Sequence, residues 1–188
     1  TSTISQVVPI QIVKPPVITA VADKLVNLGS AISAATFTVT DADTAANALT
    51  YTITSSNTAL VANSGLVRTG GTGATGTTVP ANAANSIAIT AVAGRTGTTI
   101  ITISVFDGAI TTATTFSVTV SPIVGAPDLM AASDTGTSTT DNLTNDTTPT
   151  FAVSIGGSSG IQVGDVVAIY NGTTKIGEAV VTNAEILA

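Results

Sequence analysis

The sequence predicts an all-β protein built from β-sandwich modules, and three features of the chain support that prediction. Apolar residues alternate with threonine and serine along the long apolar segments, so each segment has one inward and one solvent-facing side. Threonine is abundant, and its β-branched side chain fits the pleated surface of a strand. Turn signals rich in Gly, Asn and Asp separate the segments. Long helices are therefore not expected.

The first module is predicted to span residues 15–121 and to contain about seven strands, the number typical of an immunoglobulin-like sandwich. Turns are expected at residues 41–47, in the Gly-rich stretch 69–78, and at 93–97 and 107–108. The chain has no cysteine, so this sandwich would lack the usual disulfide. The alternating segments are centred on Phe37 and Val39, Leu49 to Ile53, Ile87 and Ile89, Ile101 to Val105, and Phe116 to Val120.

An N-terminal segment, residues 1–14, precedes this module. We expect it to be the tail of a preceding repeat or an edge strand of the first module, with a strand donated to a neighbouring molecule as the alternative. Pro9 argues against a central strand, because proline has no N–H to donate to a ladder. The apolar residues of the segment are Ile4, Val7, Val8, Ile10, Ile12 and Val13.

The second module is predicted to be a partial sandwich at residues 128–188, which follows a short proline-bounded linker at residues 122–127. Strands are expected at residues 150–155, 166–170 and 174–182, with Asn171-Gly172 in a hairpin turn. Because only about four strands can be found, a sheet edge and an apolar face would be left uncovered. We therefore expect the protein to continue beyond Ala188 or another chain to cover that edge.

Composition and charge exclude two classes of partner. The net charge is −6 with a pI of about 4.1, and the five Lys and Arg residues are scattered, which disfavours nucleic acid binding. Hydrophobic residues make up 44% of the chain, but Thr, Ser and Asn interrupt every run before it reaches the roughly 18 residues that a membrane-spanning helix needs. No membrane span is therefore expected.

Catalysis is not expected either. The stretch from Gly156 to Gly160 fits the G-x-S-x-G pattern of serine hydrolases, but the chain has no histidine to serve as the base. A flexible turn is the preferred interpretation. The Gly-rich stretch from Gly70 to Gly76 is followed by no lysine, so a mobile inter-strand loop is preferred to a phosphate-binding loop. The sequence thus predicts a chain that is not an enzyme.

Clustered acidic residues predict calcium binding where the second module begins. Residues 127–150 contain four Asp and no Lys or Arg, so like charges repel each other unless a cation neutralises them. Carboxylate, amide and carbonyl oxygens are the ligands that Ca²⁺ prefers. The ion would fix the angle between the two modules. Its candidate ligands are Asp128, Asp134, Asp141, Asn142 and Asp146.

A second acidic group offers another candidate calcium site in the first module. Its candidate ligands are Asp41, Asp43 and Asp107. The D-x-D spacing lacks the Gly and Glu of an EF-hand, since Ala46 and Thr52 stand at those positions. For Asp41 and Asp43 we prefer a turn in which the Asp side chains bond their own backbone, and keep calcium as the alternative.

Two groups of residues carry a resemblance to known families. The run from Ala126 to Leu129, then Ser133 to Gly136, then Asp141 to Thr150, resembles the opening of bacterial immunoglobulin-like repeats. Such repeats occur in tandem in large secreted adhesins and biofilm-associated proteins. The segments from Pro15 to Ile18, Phe37 to Asp43 and Val105 to Gly108 are similar to cadherin-like or immunoglobulin-like modules of bacterial surface proteins.

The resemblance implies a structural repeat segment of a bacterial cell-surface or extracellular matrix protein. An adhesin stalk or biofilm scaffold stiffened by calcium is the first hypothesis. Its partners would be neighbouring repeats or identical subunits, with surface glycans and host or matrix proteins as further candidates. One alternative is a self-assembling surface-layer or filament subunit that uses strand exchange. Another is a carbohydrate-binding accessory module, although Tyr51, Tyr170 and four Phe supply no obvious aromatic platform.

Overall fold

The computed structural model describes residues 12–44, 49–69, 73–77, 84–155 and 160–183. Regular structure in these residues consists of thirteen β-strands and one 3₁₀ turn at Asn63–Gly65. The predicted all-β fold without long helices is therefore confirmed. No helix in this part of the chain is long and apolar enough to cross a membrane. The chain forms two compact units, one built mainly on residues up to 118 and one mainly on residues from 119 onward.

Two sheets form the first sandwich. One sheet has four strands in the order β1-β3-β7-β5, and its pairings are antiparallel. The other has five strands in the order β2-β9-β8-β4-β6. The strands are β1 Val17–Ile18, β2 Lys24–Asn27, β3 Ala35–Thr40, β4 Thr50–Ser55, β5 Leu66–Arg68, β6 Thr75–Thr77, β7 Ala84–Ile89, β8 Gly97–Phe106 and β9 Thr111–Ser121.

Alternate residues of both sheets are buried, as expected where two sheets pack face to face. In β8 the side chains of Ile101, Ile103 and Val105 are fully buried, whereas the residues between them are partly or fully exposed. The sequence alternation that predicted the strands therefore corresponds to an inner and an outer face. Other core side chains are Phe37, Val39, Leu49, Tyr51, Ile53, Leu66, Ile87, Ile89, Phe116, Val118 and Val120.

The Gly-rich stretch was predicted to be a loop, and this is wrong for Thr75–Thr77. These residues form β6, which pairs antiparallel with β4 at one edge of the five-stranded sheet. A Cβ on Gly76 would lie only 2.8 Å from Cε1 of Tyr51, so the glycine allows the strand to approach a buried ring. Glycine was taken as a turn signal in the sequence, but here it permits close packing.

Strands β1, β2 and β5 were also absent from the prediction. In β5 the inward positions hold Leu66 and Arg68, so a buried cation interrupts the apolar pattern. The Arg68 guanidinium lies 4.8 Å from the ring centroid of Tyr51, and its Nη1 donates a hydrogen bond to Oδ1 of Asn85. These partners explain how a charged residue occupies an inner face.

The second unit contains two separate two-stranded sheets. Strands β10 Pro127–Leu129 and β11 Phe151–Val153 pair antiparallel, and β12 Val166–Asn171 and β13 Thr174–Val180 form a hairpin. Strands β11 to β13 agree with the prediction, whereas β10 was not predicted and begins at the last residue of the expected linker.

The predicted hairpin turn is confirmed, with one difference in its residues. Asn171 pairs with Thr174, so Gly172 and Thr173 are the two loop residues and Asn171 is the last residue of β12. Gly172 has φ 59°, and among the described residues Asn142 is the sole non-glycine residue with positive φ. A positive φ at the first loop position alone defines a type II′ turn, which matches the twist of the paired strands.

Candidate calcium sites and an open groove

The β10–β11 connection, residues 130–150, holds most of the predicted calcium ligands. Its first turn is closed by Ser133 and Asp134, whose backbone N–H groups donate to the carbonyl of Met130. The Asp134 side chain is only 2% exposed, and its Oδ2 accepts a hydrogen bond from the N–H of Asn142. Its Oδ1 is buried and has no hydrogen-bond partner among the described residues.

Asn142 joins this loop to strand β10. It adopts a left-handed conformation with φ 59°, which asparagine tolerates better than most residues. Its Oδ1 accepts a hydrogen bond of 2.9 Å from the N–H of Leu129 in β10. The amide therefore satisfies a backbone donor at the end of a strand.

The remaining acidic residues of the loop bond to nearby backbone. Oδ1 of Asp141 accepts from the N–H of Leu143, and Oδ1 of Asp146 accepts from the N–H of Thr148. The bond from Thr148 stabilises the ionised carboxylate and lowers the pKa of Asp146 below its usual value, although desolvation opposes this shift.

The predicted ligands are therefore spread along the loop. Asp128 lies at an exposed position of β10. Within the described residues, no three Asp or Glu side chains are grouped closely enough to hold a metal ion by themselves. A Ca²⁺ ion here would need backbone carbonyl or amide oxygens to complete its shell. Calcium at these five residues remains a prediction.

The acidic residues of the first module cap two turns. Asp41 follows β3, and its Oδ1 accepts from the N–H groups of Asp43 and Thr44. Burial disfavours the ionised form, but these donors outweigh it and lower the pKa of Asp41. Oδ2 of Asp43 accepts from the N–H of Lys14. The bonds of Asp41 are those that the turn interpretation expects.

Asp107 follows β8 and makes a similar arrangement. Its Oδ1 accepts hydrogen bonds of 2.7 Å and 2.6 Å from the N–H groups of Ala109 and Ile110. The Oδ2 atoms of Asp41 and Asp107 are buried and have no hydrogen-bond partner in the described part of the chain. Calcium binding by Asp41, Asp43 and Asp107 remains a prediction.

The second unit also contains a groove that the sequence did not predict as a site. The groove has a volume of about 1030 Å³ and is lined by residues of the β10–β11 connection, β11, β12 and β13. Glu178 is the single charged residue lining it, and Glu178 forms an ion pair of 2.9 Å with Lys175. The groove is therefore largely apolar, with no unpaired charge on the residues that line it.

The stretch 156–159, which contains most of the G-x-S-x-G pattern, lies outside the described residues, as do residues 1–11 and 70–72. The predictions for a flexible turn, a donated strand and the tip of the Gly-rich loop therefore have no structural outcome. The absence of catalytic activity also remains a prediction.

Comparison with known proteins decides the family of the second unit. Residues 119–186 match the family model described as a bacterial Ig-like domain. These residues are a bacterial Ig-like repeat. The resemblance seen at residues 126–150 is thus confirmed over a longer range. No curated protein matches the chain.

Among solved structures, the chain is similar to the crystal structure of domains 4 and 5 of the S-layer protein SbsC. The sequence identity is 16% and the TM-score is 0.34. The match covers 55% of this chain and 53% of the SbsC chain, so it spans about half of that structure.

Proposed function

We propose that this chain is a non-enzymatic structural segment of a bacterial cell-surface or extracellular protein, in which Ig-like modules in tandem form a stalk or scaffold. The observation that carries the proposal is the bacterial Ig-like match at residues 119–186, directly after a complete sandwich. Two successive β modules without helices are the arrangement of a repeat protein whose units extend a chain.

The first sandwich has the features of a load-bearing module. Strands β8 and β9 are ten and eleven residues long, neighbour each other in the five-stranded sheet, and contribute six of its core side chains. Long paired strands with a shared core unfold as one cooperative unit. Its solvent-facing side is rich in threonine and poor in charge.

Calcium is the second part of the proposal. Binding at the β10–β11 connection is supported by Oδ1 of Asp134, an acceptor without a partner on a side chain that is 2% exposed. A buried carboxylate oxygen without a donor is costly, and a cation would remove that cost. The connection also contains no Lys or Arg that could supply the positive charge. Bound Ca²⁺ would order the connection and stiffen the second unit.

Carbohydrate binding has less support. A glycan platform needs exposed aromatic rings side by side. Phe37, Tyr51 and Phe116 are buried in the first sandwich, whereas Phe106 and Tyr170 are 41% and 59% exposed and belong to different units. Self-assembly is the better second candidate, because the groove in the second unit is flanked by strand edges.

The proposed function is tested by the location of the protein on the native cell. Protease applied to intact bacteria should remove the epitope of an antibody raised against this chain, while a cytoplasmic marker remains. Loss of the epitope only after lysis would contradict the proposal. A control antibody against a known surface protein should report the same loss as the expected result.

A further inference from the structure

The residues that line the groove indicate that strand edges flank it. Side chains of a strand point alternately to opposite faces, so a groove over a sheet face is lined by every second residue. Here β12 contributes only Val167 and Ile169, which lie on one face. By contrast, the lining includes every residue from Thr147 to Ile155 and from Ile176 to Val181. Continuous lining of this kind indicates that β11 and β13 present their edges.

The hydrogen bonds of β11 show which of its backbone groups face the groove. Met130 donates to the carbonyl of Thr150, and Gly125 donates to the carbonyl of Ser154, so the even-numbered residues here face β10. Backbone direction alternates along a strand. The N–H and C=O groups of Phe151 and Val153 therefore point to the opposite edge, where the described residues place no further strand.

Strand β13 has the same property on the other side. The N–H of Val181 donates to the carbonyl of Asp165, and the carbonyl of Val181 accepts from Gly164, so Val181 faces the β12 side. By alternation the backbone groups of Glu178 and Val180 face away from β12. Both residues line the groove. Two unpaired edges thus border one cavity, and a single extended strand between them would satisfy both.

The lining also restricts the occupant to an uncharged peptide. Glu178 is already paired with Lys175, and the other lining side chains are apolar or hydroxylic. A charged side chain brought into this cavity would lose hydration without gaining a partner. A β-strand adds to a sheet edge through main-chain hydrogen bonds, whereas pockets for alternate side chains give specificity.

A segment of this chain fits these requirements. Residues 3–8, Thr-Ile-Ser-Gln-Val-Val, carry no charge and are followed by Pro9, which would end the pairing. Their length matches the edges that border the groove, residues 150–155 and 176–181. The chain is anchored downstream, since the N–H of Lys14 donates to Asp43 and β1 pairs with β3.

Five residues, 9–13, join this segment to its anchor and span at most about 18 Å. That reach is smaller than the diameter of a module of about 100 residues, whose radius of gyration is about 13 Å. Delivery from a second molecule does not have this limit. We propose that the groove between β11 and β13 accepts the segment Thr3–Val8 of a second copy of this chain.

Donor and acceptor lie in different units of the chain, so the contact is head-to-tail. Such a heterologous contact does not close on two subunits and can be repeated along a filament. The exchange would also merge the two-stranded sheets β10–β11 and β12–β13 into one sheet with the donated strand at its centre. Both free edges, which are sites of uncontrolled association, would then be paired.

The first test is the association of the full chain, measured by sedimentation over a range of concentrations. The variant Ile4→Asp places a charge in the donated segment, whereas Gln11→Glu adds the same charge to the tether. We expect wild type and Gln11→Glu to associate alike and Ile4→Asp to weaken association at least tenfold. A monomeric wild type at every concentration, or equal association of the two variants, would overturn the proposal.

Cross-linking identifies the source of the strand. The chain has no cysteine, so Val7→Cys and Val153→Cys introduce unique thiols in the donor and in the β11 edge. Mixing the two single variants should give a disulfide-linked heterodimer. Thr111→Cys, on the exposed side of β9, replaces Val153→Cys as the control and should not cross-link.

Three outcomes of this experiment contradict the proposal. One is a link within one molecule of the double variant without heterodimers between the single variants. Another is equal cross-linking of the Thr111→Cys control. A third is protection of the Phe151 and Val153 amides from exchange in a monomeric longer chain, which would show that another segment fills the groove.

Discussion

The first sandwich and the second unit are built from the same kind of strand, yet they differ in how completely their apolar residues are covered. In β8 every second residue from Thr99 to Val105 is buried. In β13 all residues except Gly177 are exposed, including Ile176 and Val180 at 55% and 57%. Of the described residues in the second unit, only Leu129 and Val181 are buried apolar side chains. A strand pattern predicts a face, but a partner sheet is needed to bury it.

The comparison is most easily broken by core truncation. Ile103 in β8 is fully buried, so Ile103→Ala should lower the free energy of unfolding by about 2 to 5 kcal/mol. Ile169 in β12 is only partly buried, and Ile169→Ala should cost less than about 1 kcal/mol. Urea denaturation followed by intrinsic fluorescence measures both. An equal cost at the two positions would show that the second unit has a closed core.

A smaller effect is expected at the edge of the first sandwich. Gly76→Ala would bring a Cβ to 2.8 Å from Tyr51, and we expect a loss of about 1 to 3 kcal/mol from this overpacking. Gly73→Ala is the matched control, because a Cβ there meets nothing within 4 Å. If both substitutions were neutral in thermal unfolding, β6 would not pack on Tyr51 as described.

Calcium should act on the second unit and not on the first. A hundredfold excess over Kd would stabilise the bound state by about 2.7 kcal/mol, so the unfolding transition of the second unit should move to higher temperature. Asp134→Asn should abolish this shift and, without calcium, should not destabilise the chain, because it removes a buried charge without a counter-ion.

Asp165→Asn, at the start of the β12–β13 hairpin, is the control for the calcium experiment and should keep the response. Asp165 accepts a hydrogen bond from Gln162 and lies outside the β10–β11 connection. Calorimetry that detects no calcium uptake by the wild type would contradict the site. An identical response of the Asp134→Asn and Asp165→Asn variants would contradict its position.

The smallest expected effect is the pH dependence of the β10–β11 connection. The pKa of Asp146 is lower in the folded chain than its ordinary value of 3.8, chiefly because Thr148 donates to it. The ionised form therefore adds stability above pH 3.8, and this contribution is lost as the pH falls through the folded pKa. Asp146→Asn should flatten this part of the stability profile, whereas Asp128→Asn should not. A profile unchanged by Asp146→Asn would contradict the assignment.

Much of the fold could be predicted because threonine alternation directly reports a two-sided strand. This signal located β3, β4, β7, β8, β9 and the β12–β13 hairpin. It failed at β5, where Arg68 occupies an inward position, and at β6, where glycine served packing and not a turn. Both failures arise from tertiary contacts with the same buried ring, that of Tyr51, which local sequence cannot reveal.

The candidate site was predictable in composition but not in geometry. The sequence indicated the acidic residues of the β10–β11 connection, yet their spacing could not show that Asp141 and Asp146 bond to backbone two residues later. It also could not show that Asp134 alone keeps a buried oxygen without a donor. The groove depends on which strand edges remain unpaired, and that is decided by pairing over long sequence separations.

Hydrogen exchange of individual amides in the monomeric chain tests the contrast between the two units most directly. We expect the amides of β8, which is paired on both sides within the five-stranded sheet, to exchange at rates set by global unfolding. The amides of Phe151, Val153, Glu178 and Val180, which face the groove, should exchange orders of magnitude faster. If these four amides were as protected as those of β8 in a chain shown to be monomeric, the second unit would not be open, and the account would be wrong.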